Sequence, residues 1–151
     1  MSRNSAKKRR TGFQQERELV AKLWKLGFAV MRAPASGAKI IRAKYPDIVA
    51  IKNGKIFVFE VKTREKPSTI YVESNQVDKI REFSKRAGGK AFIAVKIRNG
   101  SGWRFIPIER LEQTPRGNYR VTLDELKRAL TLNELKNIAD DLRPLTDFIQ
   151  A

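Results

Sequence analysis

Residues 47–62, DIVAIK followed by Asn53-Gly54 and then KIFVFEVK, constrain this chain more than any other stretch. Two runs rich in β-branched and aromatic residues flank an Asn-Gly pair. Type I′ turns favour that pair because both central residues need positive φ. A two-residue loop also fixes register. Lys52 then faces Lys55, Ile51 faces Ile56, Val49 faces Val58, and Asp47 faces Glu60. Two acids therefore stand opposite each other, with Cβ atoms roughly 5 Å apart. Like charges so placed destabilise a sheet, and something positive must offset them. Lys62 lies two residues past Glu60 and shares its face. Phe57, Phe59 and Val61 take the other face and read as core.

The rest of the chain supplies partners for this hairpin. Residues 13–26 predict a helix with Phe13, Leu19, Val20, Leu23, Trp24 and Leu26 on one broad face, stopped by Gly27. Residues 28–32 predict a strand, and 33–46 a loop containing Pro34, Ser36 and Gly37. Ser74 or Asn75 is placed to cap a second helix that ends at Gly88-Gly89. Strands are expected at 90–97 and 103–106, a short extended piece at 118–121, and helices at 123–130 and 132–142. This order predicts a mixed α/β domain around a central sheet. The expected organisation is a basic flexible arm over 1–12, a main domain over 13–121 and a C-terminal helical segment over 122–151.

The chain has no cysteine and no histidine among its 151 residues. That excludes disulfides, thiolate nucleophiles, imidazole bases and Cys/His zinc sites. Acids, bases and metal ligands must come from Asp, Glu, Lys, Ser, Thr or Tyr. No apolar run approaches the roughly 18 residues of a membrane span. None follows MSRNSAKKRR either, so no secretory signal is expected. Lys and Arg number 32 against 16 Asp and Glu, a formal +16. Residues 1–120 carry +18 of that and residues 121–151 carry −2. An excess this large points to a polyanion, with nucleic acid phosphate the usual one. Lys7, Lys8, Arg9 and Arg10 in the arm and Lys39, Arg42 and Lys44 in the loop are candidate phosphate contacts.

A third acid, Glu16, falls near the middle of the first helix's apolar face. A lone carboxylate there would be desolvated unless paired or metal-bound. Glu18 points away and reads as ordinary surface. Mg²⁺ takes oxygen ligands and keeps several waters, so Asp47, Glu60 and Glu16 suit it, with Lys62 placed to orient water or stabilise developing charge. The competing interpretation is a buried ion pair between Lys62 and either acid, without metal. Ser36 reads either as part of a turn or as a hydroxyl near the phosphate.

Pro46-Asp47 and then Glu60-Val61-Lys62 after a hairpin resemble the PD-(D/E)-x-K nuclease pattern. With Glu16-Arg17-Glu18-Leu19, the segment from Gly27 to Gly37, Glu82-Phe83-Ser84 before Gly88-Gly89, and Trp103-Arg104-Phe105-Ile106, the chain resembles the archaeal Holliday junction resolvases of the Hjc type over roughly residues 8–121. The resemblance implies a restriction-endonuclease-like central mixed sheet flanked by helices, with additional C-terminal helices. It implies a homodimeric, Mg²⁺-dependent endonuclease, Mn²⁺ substituting, that nicks symmetry-related strands of four-way DNA junctions in recombination and repair, in the cytoplasm at the nucleoid. By matching, Glu16, Asp47 and Glu60 take its metal-ligand and catalytic carboxylate positions, Lys62 its catalytic lysine, and Ser36 a serine some members need. Arg17 and Arg32 match positions linked to DNA binding or activity. Ile80 and Phe83 are candidates for the dimer surface or for the subunit core. A non-catalytic junction-binding protein and a nuclease of the same fold acting on flaps or duplex remain the alternatives.

Overall fold

The computed structural model describes residues 3–33, 44–100 and 102–141, with side chains from Phe13 onward. Helix α1 (Arg3–Lys25) is followed by strands β1 (Ala29–Arg32), β2 (Ile48–Lys52), β3 (Lys55–Arg64) and β4 (Ile70–Val72). Helix α2 (Ser74–Ala87) leads to β5 (Lys90–Ile97) and β6 (Gly102–Pro107). After a 3₁₀ turn at Ile108–Arg110 come β7 (Glu112–Gln113), β8 (Tyr119–Val121), α3 (Leu123–Arg128) and α4 (Leu132–Asp140).

The hairpin forms as expected. Asn53 and Gly54 have φ of 53° and 76°, both positive as a type I′ turn needs. The ladder pairs Lys52 with Lys55, Ile51 with Ile56, Val49 with Val58 and Ile48 with Phe59. The main sheet runs β1-β2-β3-β5-β6. Its β3–β5 pair is parallel and the others antiparallel, so the sheet is mixed. Helix α2 makes the crossover between the parallel strands. A second, three-stranded sheet, β4-β8-β7, involves the expected short piece near 118–121.

Period-two alternation along β3 divides the core in two. On one face, Phe57 and Phe59 pack with Phe28, Phe92 and Phe105, under Leu19 and Leu23 of α1 and Leu135, Ile138 and Ala139 of α4. On the other, Val58, Ile93 and Val95 meet Val77 and Ile80 of α2, the second sheet's Ile70, Val72 and Val121, and Leu126 of α3. The C-terminal segment thus packs on the domain through residue 141. Lys52 ties it down, bonding the Leu26 carbonyl at 2.7 Å and the Asp140 carboxylate at 2.6 Å.

Four expectations need correction, and one left open is decided. The flexible arm expected over 1–12 is not seen in residues 3–12, whose backbone continues α1. Ala6, Lys7, Lys8, Arg9 and Arg10 are good helix formers, and the single Gly12 does not interrupt them. Trp24 does not join the buried face of α1 and is 65 % exposed. It lies about 100° round the helix from the fully buried Leu23, beyond the arc the sheet covers. Glu18 is not ordinary surface. Its carboxylate receives hydrogen bonds from Lys96 (3.0 Å) and Trp103 (3.3 Å), tying α1 to β5 and β6. Burial opposes its charge, but these bonds and the Lys96 and Lys22 charges outweigh that and hold its carboxyl below the ordinary value. Neither Ser74 nor Asn75 caps α2: the N-cap is Glu73, without a side-chain bond, and Asn118 accepts from the Ser74 N–H at 3.0 Å. Of the two readings of Ile80, the core one holds: it is fully buried there and not a dimer contact, while Phe83 is half-buried against the same core.

Candidate active site

The pairing of Ile48 with Phe59 carries Asp47 to the position opposite Glu60, one residue beyond the ladder. There the Asp47 carboxylate accepts the Val61 backbone N–H at 2.8 Å. That bond holds the acid against β3 as β2 begins. The Asp47 carbonyl also accepts the Ala33 N–H at 2.9 Å, so the end of β1 braces the same point.

Glu60 is 4 % exposed on the face of β3 that meets α2. Burial first, and then the charge of Asp47, push its carboxyl up to about 7, against the pull of Lys79 and Lys62. Its Oε2 lies 3.1 Å from Lys79 Nζ, yet that buried oxygen completes no hydrogen bond. The contact is an ion pair that leaves that oxygen free to take a further ligand. Lys62 shares the face, as expected from alternation. Its ammonium donates to Gln76 Oε1 at 2.8 Å. Burial lowers its pKa, with the Glu60 charge opposing and Arg64 adding to the lowering.

Gln76 and Lys79 were not singled out in the sequence. They stand one turn apart on α2, flanking the buried Val77 and Ile80. Polar residues interleaved with core positions at i, i+3 spacing were the available signal. One helix therefore holds both polar groups of β3, with Gln76 on Lys62 and Lys79 on Glu60.

Glu16 sits with Arg32, whose guanidinium is 3.6 Å from its carboxylate. The expected desolvation is thus relieved by a cation on β1. Arg32 also reaches the Phe13 carbonyl at 3.4 Å and lies over the Phe13 ring. Glu16 belongs to α1, which packs on the Phe57 and Phe59 face, whereas Glu60 points to the α2 face. Among the described residues no group of three or more acids is gathered tightly enough to hold a metal. The pair does suit a hard cation. Mg²⁺ is commonly held by one or two carboxylates, with water and substrate phosphate completing its shell. Asp47 and the unsatisfied oxygen of Glu60 provide that donor set.

Ser36, Lys39 and Arg42 lie outside the described residues, as do the side chains of Lys7, Lys8, Arg9 and Arg10. Arg17 and Lys44 are exposed. No helix among the described residues is long and apolar enough to cross a membrane.

Comparison with known proteins converges on one family. The model for "Archaeal holliday junction resolvase (hjc)" matches residues 7–143. The crossover junction endodeoxyribonuclease Hjc of Sulfurisphaera tokodaii is 44 % identical over 132 residues, 87 % of this chain and 88 % of that protein. Its namesake from Sulfolobus acidocaldarius is 38 % identical, covering 82 % of this chain and 85 % of the relative. The crystal structure of Archaeoglobus fulgidus Hjc, a Holliday junction resolvase, superposes with a TM-score of 0.73 at 30 % identity, over 84 % of this chain and 96 % of that one. The matched region contains the whole hairpin, α2 and the site between them, and the chain belongs to the archaeal Holliday junction resolvase family.

Proposed function

We propose that this chain is an endodeoxyribonuclease that resolves four-way DNA junctions by paired, metal-dependent nicks in symmetry-related strands, in recombination and repair. The observation that carries the reading is the meeting of Asp47, Glu60 and Lys62 at one end of the hairpin, in a chain whose relatives are crossover junction endodeoxyribonucleases.

Asp47 and Glu60 would hold Mg²⁺, or Mn²⁺ in its place. When bound, the cation polarises the scissile phosphate and lowers the pKa of its water. Lys62 presents a donor whose direction is set by Gln76, and it faces charge that develops on the phosphate. Lys79 offsets the carboxylates and keeps Glu60 from closing on Lys62. Glu16 fixes Arg32 beside the Asp47 backbone, where a guanidinium meets a neighbouring phosphate. Ser36 is assigned to the same phosphate region. Lys7, Lys8, Arg9, Arg10, Arg17, Lys39, Arg42 and Lys44 supply further backbone contacts, which position DNA without reading its sequence. A C₂ homodimer presents two identical sites to the two equivalent strands of a junction.

The test is cleavage of an immobile synthetic four-way junction, a flap and a linear duplex, each with Mg²⁺ and with EDTA. Paired nicks confined to the junction and to the metal-containing tube are expected. A junction that shifts in a gel but stays uncut with metal would replace the reading with an architectural one. Preferential cutting of flap or duplex would replace it with a related nuclease activity.

A further inference from the structure

Trp24 is 65 % exposed, while the protein's other tryptophan, Trp103, is 4 % exposed. It lines a shallow groove of about 370 Å³ between α1 and β1, with Arg17, Val20, Ala21, Lys25 and Arg32. Arg17 and Trp24 are seven residues apart, so they lie within about 20° of each other around the helix and about 10 Å apart along it. The floor is apolar and the charges sit at the rim. Several other cations lean on acids, as Lys22 and Lys96 do on Glu18, Lys52 on Asp140, and Arg120 on Glu112. Among the described residues Arg17 and Lys25 form no ion pair.

Two uncompensated cations bracketing an exposed indole match an anionic partner that also carries a flat aromatic surface. A nucleotide strand has both, since every base offers a π face and every link a phosphate. The groove is also linked to the active site through the end of β1. Arg32 belongs to its lining, and the next residue, Ala33, bonds the Asp47 backbone.

We propose that the groove between α1 and β1 binds an unstacked base of a DNA strand passing the active site, with the base on the Trp24 indole and its flanking phosphates at Arg17 and Lys25. This rests on the DNA-junction reading above and adds a strand-holding site to it. A four-way junction exposes bases at its centre more readily than uninterrupted duplex does, so such a site favours the branched substrate.

The two tryptophans make the proposal directly measurable, because solvent-accessible emission comes from Trp24. Full-length protein in EDTA is titrated with a short oligodeoxythymidylate, with the immobile junction and with heparin, a polyanion without bases. Both DNA probes are expected to quench the emission, heparin to bind without quenching, and Trp24→Phe to remove most of the signal. Trp24→Ala should weaken oligodeoxythymidylate binding at least about fivefold, with the Trp103 emission reporting that the fold is kept. Equal quenching by heparin, or unchanged binding by Trp24→Ala, overturns the proposal. So does a blue shift on raising protein concentration without DNA, which assigns the groove to a second copy of the chain. Junction cleavage by the wild type in Mg²⁺ is scored in parallel. Its absence refutes the nuclease reading, whereas cleavage with an unresponsive Trp24 refutes the groove alone.

Discussion

Replacing Glu60 with glutamine removes a buried charge that the metal-free protein holds at a loss. The Glu60 carboxyl rises from an ordinary 4.5 to about 7 in the fold, first through burial and then through Asp47. A group with a raised folded pKa stabilises the protein fully below its unfolded value and loses that contribution as pH climbs through the folded one. The window here runs from about pH 4.5 to just above 7. Each pH unit between the two values is worth about 1.4 kcal/mol, so wild type gives up about 3 kcal/mol across it. Glu60→Gln has no proton to lose there. In EDTA it should match wild type below about pH 4 and be more stable by up to about 3 kcal/mol at pH 8.5. Guanidinium unfolding of both proteins, at half-unit pH steps, gives the difference curve. Carboxylates remote from Glu60 titrate alike in both proteins and cancel, leaving Glu60 and its neighbour Asp47 to shape the difference. Asp47→Asn should recover a smaller part of the gain, since its charge is the lesser cause. Parallel curves from pH 5 to 9 would refute the placement of Glu60 as a buried acid beside Asp47. The same variant should be inactive, which separates a cost to folding from a need in catalysis.

Asp47→Ala and Lys62→Ala should abolish junction cleavage while leaving gel-shift binding largely intact; wild-type cutting by Asp47→Ala would break the site assignment. Gln76→Met keeps the length of the side chain but removes the oxygen that receives Lys62. It should lower kcat about 10- to 100-fold with little change in KM, and Gln76→Glu should restore part of it. An added Cβ at Gly89 would lie 2.5 Å from the Ile56 carbonyl oxygen. Gly89→Ala should therefore destabilise the domain by about 1–3 kcal/mol in guanidinium unfolding, through overpacking between β3 and α2. Thr131→Ala removes the side chain of the α4 capping box and should cost about 1 kcal/mol, read in the same way.

The hairpin was legible because its causes are local. Asn53-Gly54 dictates the turn, the turn dictates register, and register sets Asp47 opposite Glu60 with Lys62 on the same side. Strand β5 was legible too, as an apolar run between a glycine pair and a turn. Gln76 and Lys79 were not, because the side of α2 that faces the sheet depends on where β5 docks. That docking is a long-range event with no local marker. Asn118 as the acceptor for the Ser74 N–H at the start of α2 was hidden for the same reason. Trp24 misled because periodicity describes a helix alone, whereas burial depends on how much of its circumference a neighbour covers. Glu16 was legible as an acid needing relief, but Arg32 as its partner required knowing that β1 ends beside α1.

The parallel pairing of β3 with β5 has a consequence for the chain while it is being made. Glu60 lies beside Ile93, roughly thirty positions later, and Gln76 and Lys79 occupy the segment between them. A nascent polypeptide that has finished the hairpin already carries both acids and Lys62, with Asp47 held by the Val61 N–H, but Glu60 and Lys62 still lack their partners on α2. Only when the later strand has been synthesised and zipped into place does the intervening helix settle over these groups. The complete set of groups at the site thus assembles late, with the completed fold.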